Sequence, residues 1–525
     1  MKKMTVGEII KMFNKLKGER GTWENHWQEV TDYILPRKNT VITTRSPGEK
    51  RTFQVLDNTG IQSNELLAGA LHGMLTNPDS PWFEMTTGDL IADNDDEIRI
   101  WLQDTTRRIH HVLNNSNFQT EVHELYIDLG AIGTGCQLIE EDEDEIVRFS
   151  TKFIADYYIK EAKCGKVEFI IHLSKWKSHE LIEEFGDKKM HKDVLKDYEK
   201  NLGEMFKVLH CVYECDEKYY SSYVLLDKET MIKEETFNEF PYVVPRWSKA
   251  SGESYGRSPG MNALPEVKVL NKMNETLLIG AQKKVDPPIQ MPDDGFILPV
   301  VTRPGGINYY RSGTNDYIRP VFNDTNLDFG YQAMEDRRQR VRDAFYVDQL
   351  KLRQGGPMMT ATEVLQRTEE SMRLLGPMLG RMQAEFLRPL IDRVFNIMKR
   401  KGMLAPAPLS LKKFKIDVRY SSLIAKSQRL ADAQNILRTV QAVAPFIQMD
   451  PTVADNFNGD ACARIISGVY GFPQLGLRSA NDLAKIRQQR AQAQAQAAEA
   501  ANKQNEIANA GQMADIAQKM GNQGG

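Results

Sequence analysis

The chain has 525 residues, 41% hydrophobic and 26% charged, with a formal net charge of -3. That composition is ordinary for soluble globular protein, and the length allows several domains and a sizeable core. The near-neutral charge excludes a protein that clamps DNA by neutralising many phosphates, and leaves weak, transient contact open. The five cysteines are Cys136, Cys164, Cys211, Cys215 and Cys462. An odd, sparse set reads as reduced thiols in a cytosolic setting. The start Met1-Lys2-Lys3 is followed by no apolar run, so no signal peptide is expected. No stretch approaches the ~18 apolar residues of a membrane span.

Residues 1–130 read as helical. Thr5 and Glu8 form a capping box, and Ile9, Phe13 and Leu16 make an apolar stripe behind it. A second helix is predicted over 61–75, with Leu67, Leu71, Met74 and Leu75 on one face; Pro78 and Pro81 stop it. A third covers 96–112 and a fourth 118–129. From 135 to 250 the pattern turns α+β. Phe169-Ile170-Ile171, Val208-Leu209 and Tyr223-Val224-Leu225 have strand composition, and one helix is predicted over 177–202.

Two segments then each open a long helical pattern: Ser254-Tyr255-Gly256-Arg257-Ser258-Pro259 and Met359-Thr360-Ala361-Thr362-Glu363-Val364. The first leads into a helix over 262–285, with Leu264, Val267, Leu270, Leu277 and Ala281 near one face, ended by Asp286-Pro287-Pro288. A Pro/Gly-rich insert follows over 286–324, with strand-like Phe296-Ile297-Leu298 and Ile307-Asn308-Tyr309. A helix returns over 327–350, each helix of the pair being about 35 Å long. Arg353-Gln354-Gly355-Gly356-Pro357 breaks the pattern. Thr360 and Glu363 then cap a helix that runs to Lys401, kinked at Pro377 and Pro389 and ended by Gly402. A strand is expected at Phe414-Lys415-Ile416-Asp417-Val418 and several shorter helices over 427–490. The Ala/Gln-rich tail reads as a solvated helix or disorder, or as a bundle in a ring of copies.

Motifs that could carry chemistry dissolve on inspection. No Walker A sequence is present, so the chain is not expected to be an ATP-driven motor. Gly130-Ala131-Ile132-Gly133-Thr134-Gly135 follows a helix and enters a strand, the reverse of a dinucleotide loop, and reads as a tight helix-to-strand turn. His210-Cys211 with Cys215 lies in a strand pattern, where neighbouring side chains point to opposite faces, so a zinc cluster is not expected. The run Glu140-Glu141-Asp142-Glu143-Asp144-Glu145 reads as a solvated hairpin tip. Arg337, Arg338, Arg340 and Arg342, beside Glu335 and Asp336, are read as charges pairing between subunits, with phosphate contact in a channel as the alternative. A helix, a compact insert, a returning helix and a third long helix fit a channel wall better than an enzyme core.

The ordered set of short motifs resembles one family. It comprises Trp23 through Trp27 with Tyr33-Ile34-Leu35-Pro36, then Leu67-Ala68-Gly69-Ala70-Leu71 through Pro81-Trp82-Phe83. Gly252-Glu253-Ser254-Tyr255-Gly256-Arg257-Ser258-Pro259 with Leu270-Asn271 follows, then Thr360-Ala361-Thr362-Glu363-Val364 and Tyr420-Ser421-Ser422-Leu423. From about residue 20 to about 430 the chain resembles the head-to-tail connecting, or portal, proteins of short-tailed, podovirus-type bacteriophages. The resemblance implies a mixed α+β, mainly helical portal fold with wing, stem, clip and crown, assembled as a dodecameric ring at one capsid vertex. Laid on this sequence it implies a wing over 1–257 and 360–425, stem helices over 258–285 and 325–350, and a clip over 286–324. The tunnel loop would be 351–359, the crown 426–490, and 491–525 a barrel helix or disorder.

The implied function is a passive conduit for genome packaging and ejection, without catalytic residues, metal or cofactor. Its implied partners are further copies of the chain, double-stranded DNA in transit, the terminase large subunit, tail adaptor and tail tube proteins, and the major capsid and scaffolding proteins, with no membrane. Its implied place is the virion, and the host cytoplasm during assembly. Lys351, Arg353, Gln354, Gly355, Gly356, Met358 and Met359 are the expected DNA-facing loop; Phe296, Ile297, Leu298, Arg303, Tyr309 and Tyr310 are the expected clip surface for partners. The competing classes are a non-channel structural virion protein and a phage nuclease or modifying enzyme.

Overall fold

The computed structural model describes residues 3–46, 48–51, 55–89, 95–188, 190–200, 202–216, 218–291, 299–301, 303, 306–309, 319–321, 328–350, 375–413, 416–420, 423–470, 476, 478 and 482–498. The fold is mixed α and β and mostly helical. In chain order come α1 (Val6–Ile34), α2 (Thr59–Leu75), β1 (Phe83–Thr86), α3 (Asp96–Asn115) and α4 (Phe118–Ile132). Then follow β2 (Gln137–Glu141), β3 (Val147–Thr151), β4 (Tyr157–Glu161), β5 (Val167–Lys177), α5 (Ser178–Phe185), α6 (Lys192–Lys200), β6 (Met205–Cys215), β7 (Lys218–Leu225), β8 (Thr230–Phe237) and β9 (Tyr242–Val243). The central part holds α7 (Pro259–Val285), β10 (Ile289–Gln290), β11 (Arg319–Pro320), α8 (Asp328–Ala344) and α9 (Val347–Leu350). After it come α10 (375–382), a π-helical turn (Gln383–Leu387), α11 (Arg388–Arg400), β12 (Asp417–Tyr420), α12 (Leu423–Met449), α13 (Gly459–Val469) and α14 (482–498).

The chain forms two compact units, one of residues 1–82 with 107–404, the other of 83–106 with 405–525. The larger unit is organised by an antiparallel five-stranded sheet in the order β4-β5-β6-β7-β8, beside a three-stranded sheet β3-β2-β9. Strand alternation sorts the side chains of β6. Leu209, Cys211 and Tyr213 meet Ile9, Phe13 and Leu16 of α1 in one core, while Phe206 and Val208 meet Leu181 of α5 and Val194 of α6 in another. Each such fully buried side chain contributes roughly 1.5–3 kcal/mol relative to exposure. The capping box forms as expected: the Glu8 carboxylate accepts from Thr5 N at 2.7 Å and from Thr5 Oγ1 at 2.9 Å.

The smaller unit pairs β1 with β12, Phe83 opposite Tyr420 and Thr86 opposite Asp417. Met85 N donates to Thr106 Oγ1 at 3.1 Å and Trp101 Nε1 to Ala405 O at 2.9 Å.

Several expectations change. The single helix over 177–202 is two helices, because Gly186 takes φ 75 and turns the chain so that Leu181 and Val194 both reach the sheet. The returning helix is interrupted: Tyr346 takes φ 59, separating α8 from α9, while Phe345 and Val347 on either side are buried. The pair is therefore unequal, α7 with 27 residues and α8 with 17, about 40 and 25 Å. Ile307-Asn308-Tyr309 is not a strand; instead the Asn308 side chain accepts from Val301 N at 2.6 Å and donates to Val301 O at 2.9 Å. The insert's strand pair is β10 with β11. The helix passes through a π-helical turn at Gln383–Leu387, and Pro389 follows in the first turn of α11. The helical region after 427 opens with one 27-residue helix, α12, rather than with short ones.

Candidate functional site

The site is a helix pair and the knot that holds its base. Ser258 fixes where α7 begins. Its backbone is extended at the N-cap, and its Oγ accepts from Met261 N at 2.9 Å while donating to Ala131 O at 2.6 Å. Pro259 follows at the first turn, where its missing N–H costs nothing. Gly133 ends α4 at φ 88 and lies so close to the 254–259 segment that a Cβ there would stand 2.7 Å from Gly256 O. A Cβ on Gly256 would stand 2.2 Å from Gly133 O. Gly256 N donates to Thr134 Oγ1 at 2.8 Å. Tyr255 packs on Trp27 at 5.0 Å between ring centroids, and its hydroxyl accepts from Ile159 N at 3.3 Å. The glycine turn is thus the helix-to-strand turn expected from sequence, and it also seats the root of α7.

Arg246 is the charged centre of this knot and is 1% exposed. It donates to Glu385 at 3.0 and 2.8 Å, to Gly165 O at 2.8 Å and to Ser254 O at 3.1 Å, and it pairs with Glu161. Lys249 Nζ lies 2.7 Å from Glu161, and Arg381 3.0 Å from Glu385. Removing one partner of such a buried pair costs about 3–5 kcal/mol, because the other charge is left uncompensated.

Helices α7 and α8 run antiparallel. Gly330 approaches Leu277 so closely that a Cβ would meet its Cδ2 at 2.5 Å, while Arg337 reaches Glu266 at 2.6 Å. Asn271 binds a third segment to the pair: its Oδ1 accepts from Leu56 N at 2.6 Å and Asp57 N at 3.1 Å. Asp57 Oδ2 in turn accepts from Arg338 Nε at 3.0 Å and Nη2 at 2.9 Å. Burial pushes the Asp57 carboxyl up, but hydrogen bonds from Thr59 and Arg338 outweigh it, and its pKa lies below the ordinary carboxylate range. Arg342 and Arg338 reach Glu335 at 2.9 and 3.3 Å, and Arg340 lies 3.6 Å from Glu266. The expected stem charges therefore find carboxylates within their own chain; Asp336 is exposed.

The buried face of α7 ends at Asn271. Beyond it Leu278 and Ile279 are exposed, Val285 is 87% exposed, and Phe329 on α8 is 77% exposed. Of the expected clip residues, Arg303 is exposed and Tyr309 is 67% exposed. Phe296, Ile297, Leu298 and Tyr310 lie outside the described residues, as do Lys351, Arg353, Gln354, Gly355, Gly356, Met358 and Met359.

The acidic run lies at the surface, as expected, with Asp142 half-buried and the others exposed. Glu141 pairs with Arg400 at 2.6 Å, and Asp142 Oδ1 accepts from Asp144 N and Glu145 N, both at 2.8 Å. His210 is buried between the Tyr242 hydroxyl at 2.7 Å and Ser221 Oγ at 2.8 Å, stacked on Tyr223. Among the described residues no group of three or more His, Cys, Asp or Glu is placed to hold a metal ion. Sequence reasoning missed Arg246, Glu385, Asp57 and Asn271 as structural partners. The one signal was Asn271 inside the Leu270-Asn271 motif; a lone arginine and a lone glutamate 139 residues apart carry none.

Residues 6–477 match the family described as bacteriophage head to tail connecting protein. The chain belongs to this family. Two relatives are alike over nearly their whole length. A probable portal protein of Bordetella phage BPP-1 is 30% identical, over 98% of this chain and 95% of its own. The portal protein of Salmonella phage epsilon15 is 29% identical, over 94% and 92%. Function and place in the virion are those of a phage portal protein. Among solved structures the neck of an empty gene transfer agent particle computed with C6 symmetry is similar at a TM-score of 0.38 and 11% identity, covering 74% of this chain and 86% of that one. The neck of a native particle computed with C12 symmetry scores 0.33, also at 11% identity, covering 72% and 85%. No helix among the described residues is long and apolar enough to cross a membrane.

Proposed function

We propose that copies of this chain close into a ring, a dodecamer, whose α7–α8 pairs stand around a bore. The observation that carries this reading is the apolar surface on the far half of the pair. Leu278, Ile279, Val285, Phe329 and Tyr331 are all more than 45% exposed and lie beyond the reach of the anchored base. Side chains of this size are each worth roughly 1.5–3 kcal/mol on full burial, and a contiguous exposed group marks an interaction surface. A neighbouring copy covers it in this reading, and Arg340 and Asp336 on the solvent side of α8 serve as pairing charges between subunits.

In the same reading residues 1–257 and 360–425 are wing, 258–285 and 325–350 stem, 286–324 clip, 351–359 tunnel loop, 426–490 crown and 491–525 a barrel helix or disorder. Double-stranded DNA moves through the bore in both directions without chemistry. The terminase large subunit docks at the clip during packaging and tail proteins replace it; major capsid and scaffolding proteins meet the wing. A near-neutral chain suits sliding, because many phosphate contacts would hold DNA fast. Particle mass by light scattering, with negative-stain images, tests the ring. Annular particles near a twelvefold multiple of 59.9 kDa are expected; a strictly monomeric protein at micromolar concentration would refute it.

A further inference from the structure

Two backbone irregularities flank residues 351–374. Before them, Tyr346 sits in the left-handed region at φ 59, a conformation costly for a side chain of that size. After them, Gln383–Leu387 forms a π-helical turn with Glu385 at its middle. Strained backbone of this kind persists only where its surroundings over-determine it. Among those surroundings are two consecutive residues. The Trp247 ring stacks on Tyr346, centroids 6.4 Å apart and planes at 29°. The Arg246 guanidinium and its own backbone N–H all donate to Glu385. The dipeptide is itself fixed, Trp247 N donating to Gly133 O at 2.9 Å and Arg246 pairing across the bridge with Thr134.

We propose that Arg246-Trp247 is a single clamp that ties the start of α9, at Tyr346, and the end of α10, at Glu385, to the root of α7. One end is gripped through an aromatic ring and the other through a buried ion pair. Because the two grips are neighbours in sequence on one short rigid segment, slack at either grip reaches the other. The clamp stands on these contacts alone; that it thereby sets the base of a loop facing a bore rests on the ring reading above.

The test is amide hydrogen exchange read by mass spectrometry on the full-length protein, in peptides covering 340–350 and 375–390, with 259–271 as reference. Glu385→Gln weakens one grip and Tyr346→Gly the other, the latter with no buried charge left behind and with a residue at ease at positive φ. Each variant is expected to speed exchange about fivefold or more in both flanking peptides, with the reference unchanged. Tyr346→Phe keeps the ring and is expected to restore the wild-type pattern. Loosening confined to the substituted flank, or in neither, overturns the clamp. Should Glu385→Gln lose protection everywhere, Tyr346→Gly decides alone: faster exchange at 375–390 supports the proposal, and unchanged exchange there refutes it. A failed ring assay leaves this outcome untouched, so the two proposals fall separately.

Discussion

Gly133→Ala is the sharpest probe of the knot at the root of α7. The position has φ 88, and its Cβ would stand 2.7 Å from Gly256 O, 2.7 Å from Arg257 C and 2.8 Å from Ser258 N. All three neighbours are backbone, so no side chain can swing aside. A left-handed conformation costs an L-residue about 1–2 kcal/mol. Overpacking against atoms that cannot yield adds about 1–3 kcal/mol. The substitution is expected to destabilise by roughly 2–5 kcal/mol, a large share of the ordinary margin. Gly402→Ala isolates the first contribution: its φ is 69 and nothing lies within 4 Å of the added methyl. Urea unfolding of both variants, followed by far-ultraviolet dichroism, gives the comparison. Gly133→Ala should lose at least ~1 kcal/mol more than Gly402→Ala, and exchange should quicken in the first turn of α7. Equal losses would refute the tight approach of α4 to the 254–259 segment.

Four further outcomes follow from the described contacts. Asp57 has a folded-state pKa below the ordinary 3.8, so its pairing stabilises above that value and is lost as pH falls through the lower one; Asp57→Asn should therefore be less stable at pH 6 and draw level with wild type well below pH 4 in acid titrations of thermal unfolding. His210 is held neutral, burial being the main cause, with its pKa well below 6.5; the unfolded chain takes up a proton below that pH and the folded one does not. Stability should thus fall from pH 7.5 to 5.5, and His210→Gln should flatten that slope; an unchanged slope would assign it elsewhere. Shortening 351–359 is expected to leave particle assembly intact while lowering the DNA retained per particle; full genomes at normal yield would make the segment a mere connector. Deleting 292–318 should leave the larger unit folded by exchange but abolish packaging and tail attachment, and surviving packaging would move the partner surface away from the insert.

Local chemistry was what sequence could read. Thr5 and Glu8 cap α1 because both partners lie within one turn. Gly133 was legible as a turn because glycine is the residue that such a φ favours. The break at Tyr346 was not, since tyrosine carries no breaker signal and its conformation is imposed by the burial of Phe345 and Val347. The arginine-rich face of α8 was visible, yet its partner Asp57 lies 281 residues away, on a segment that Asn271 and Asn274 hold. Glu385 hides in an apolar helix where a lone acid has no periodicity, so nothing in the sequence pairs it with Arg246. Sequence pattern encodes which face is buried far better than which distant charge meets which.

The pairing of β1 with β12 sets an order of events on the ribosome. The two strands are separated by about 330 residues, and at roughly 5–20 residues per second the second emerges some 15–70 s after the first. Throughout that interval Phe83, buried in the finished protein, waits without its strand partner. The five-stranded sheet, by contrast, is complete once β8 has emerged, because β4 through β8 are consecutive and pair only with one another. The larger unit can therefore begin to fold on the nascent chain, whereas the smaller must keep a half-made strand pair until β12 has emerged. A translation pause or truncation between residues 90 and 416 would strand an open strand edge bearing an aromatic side chain, the kind of surface that chaperones hold and that aggregates recruit.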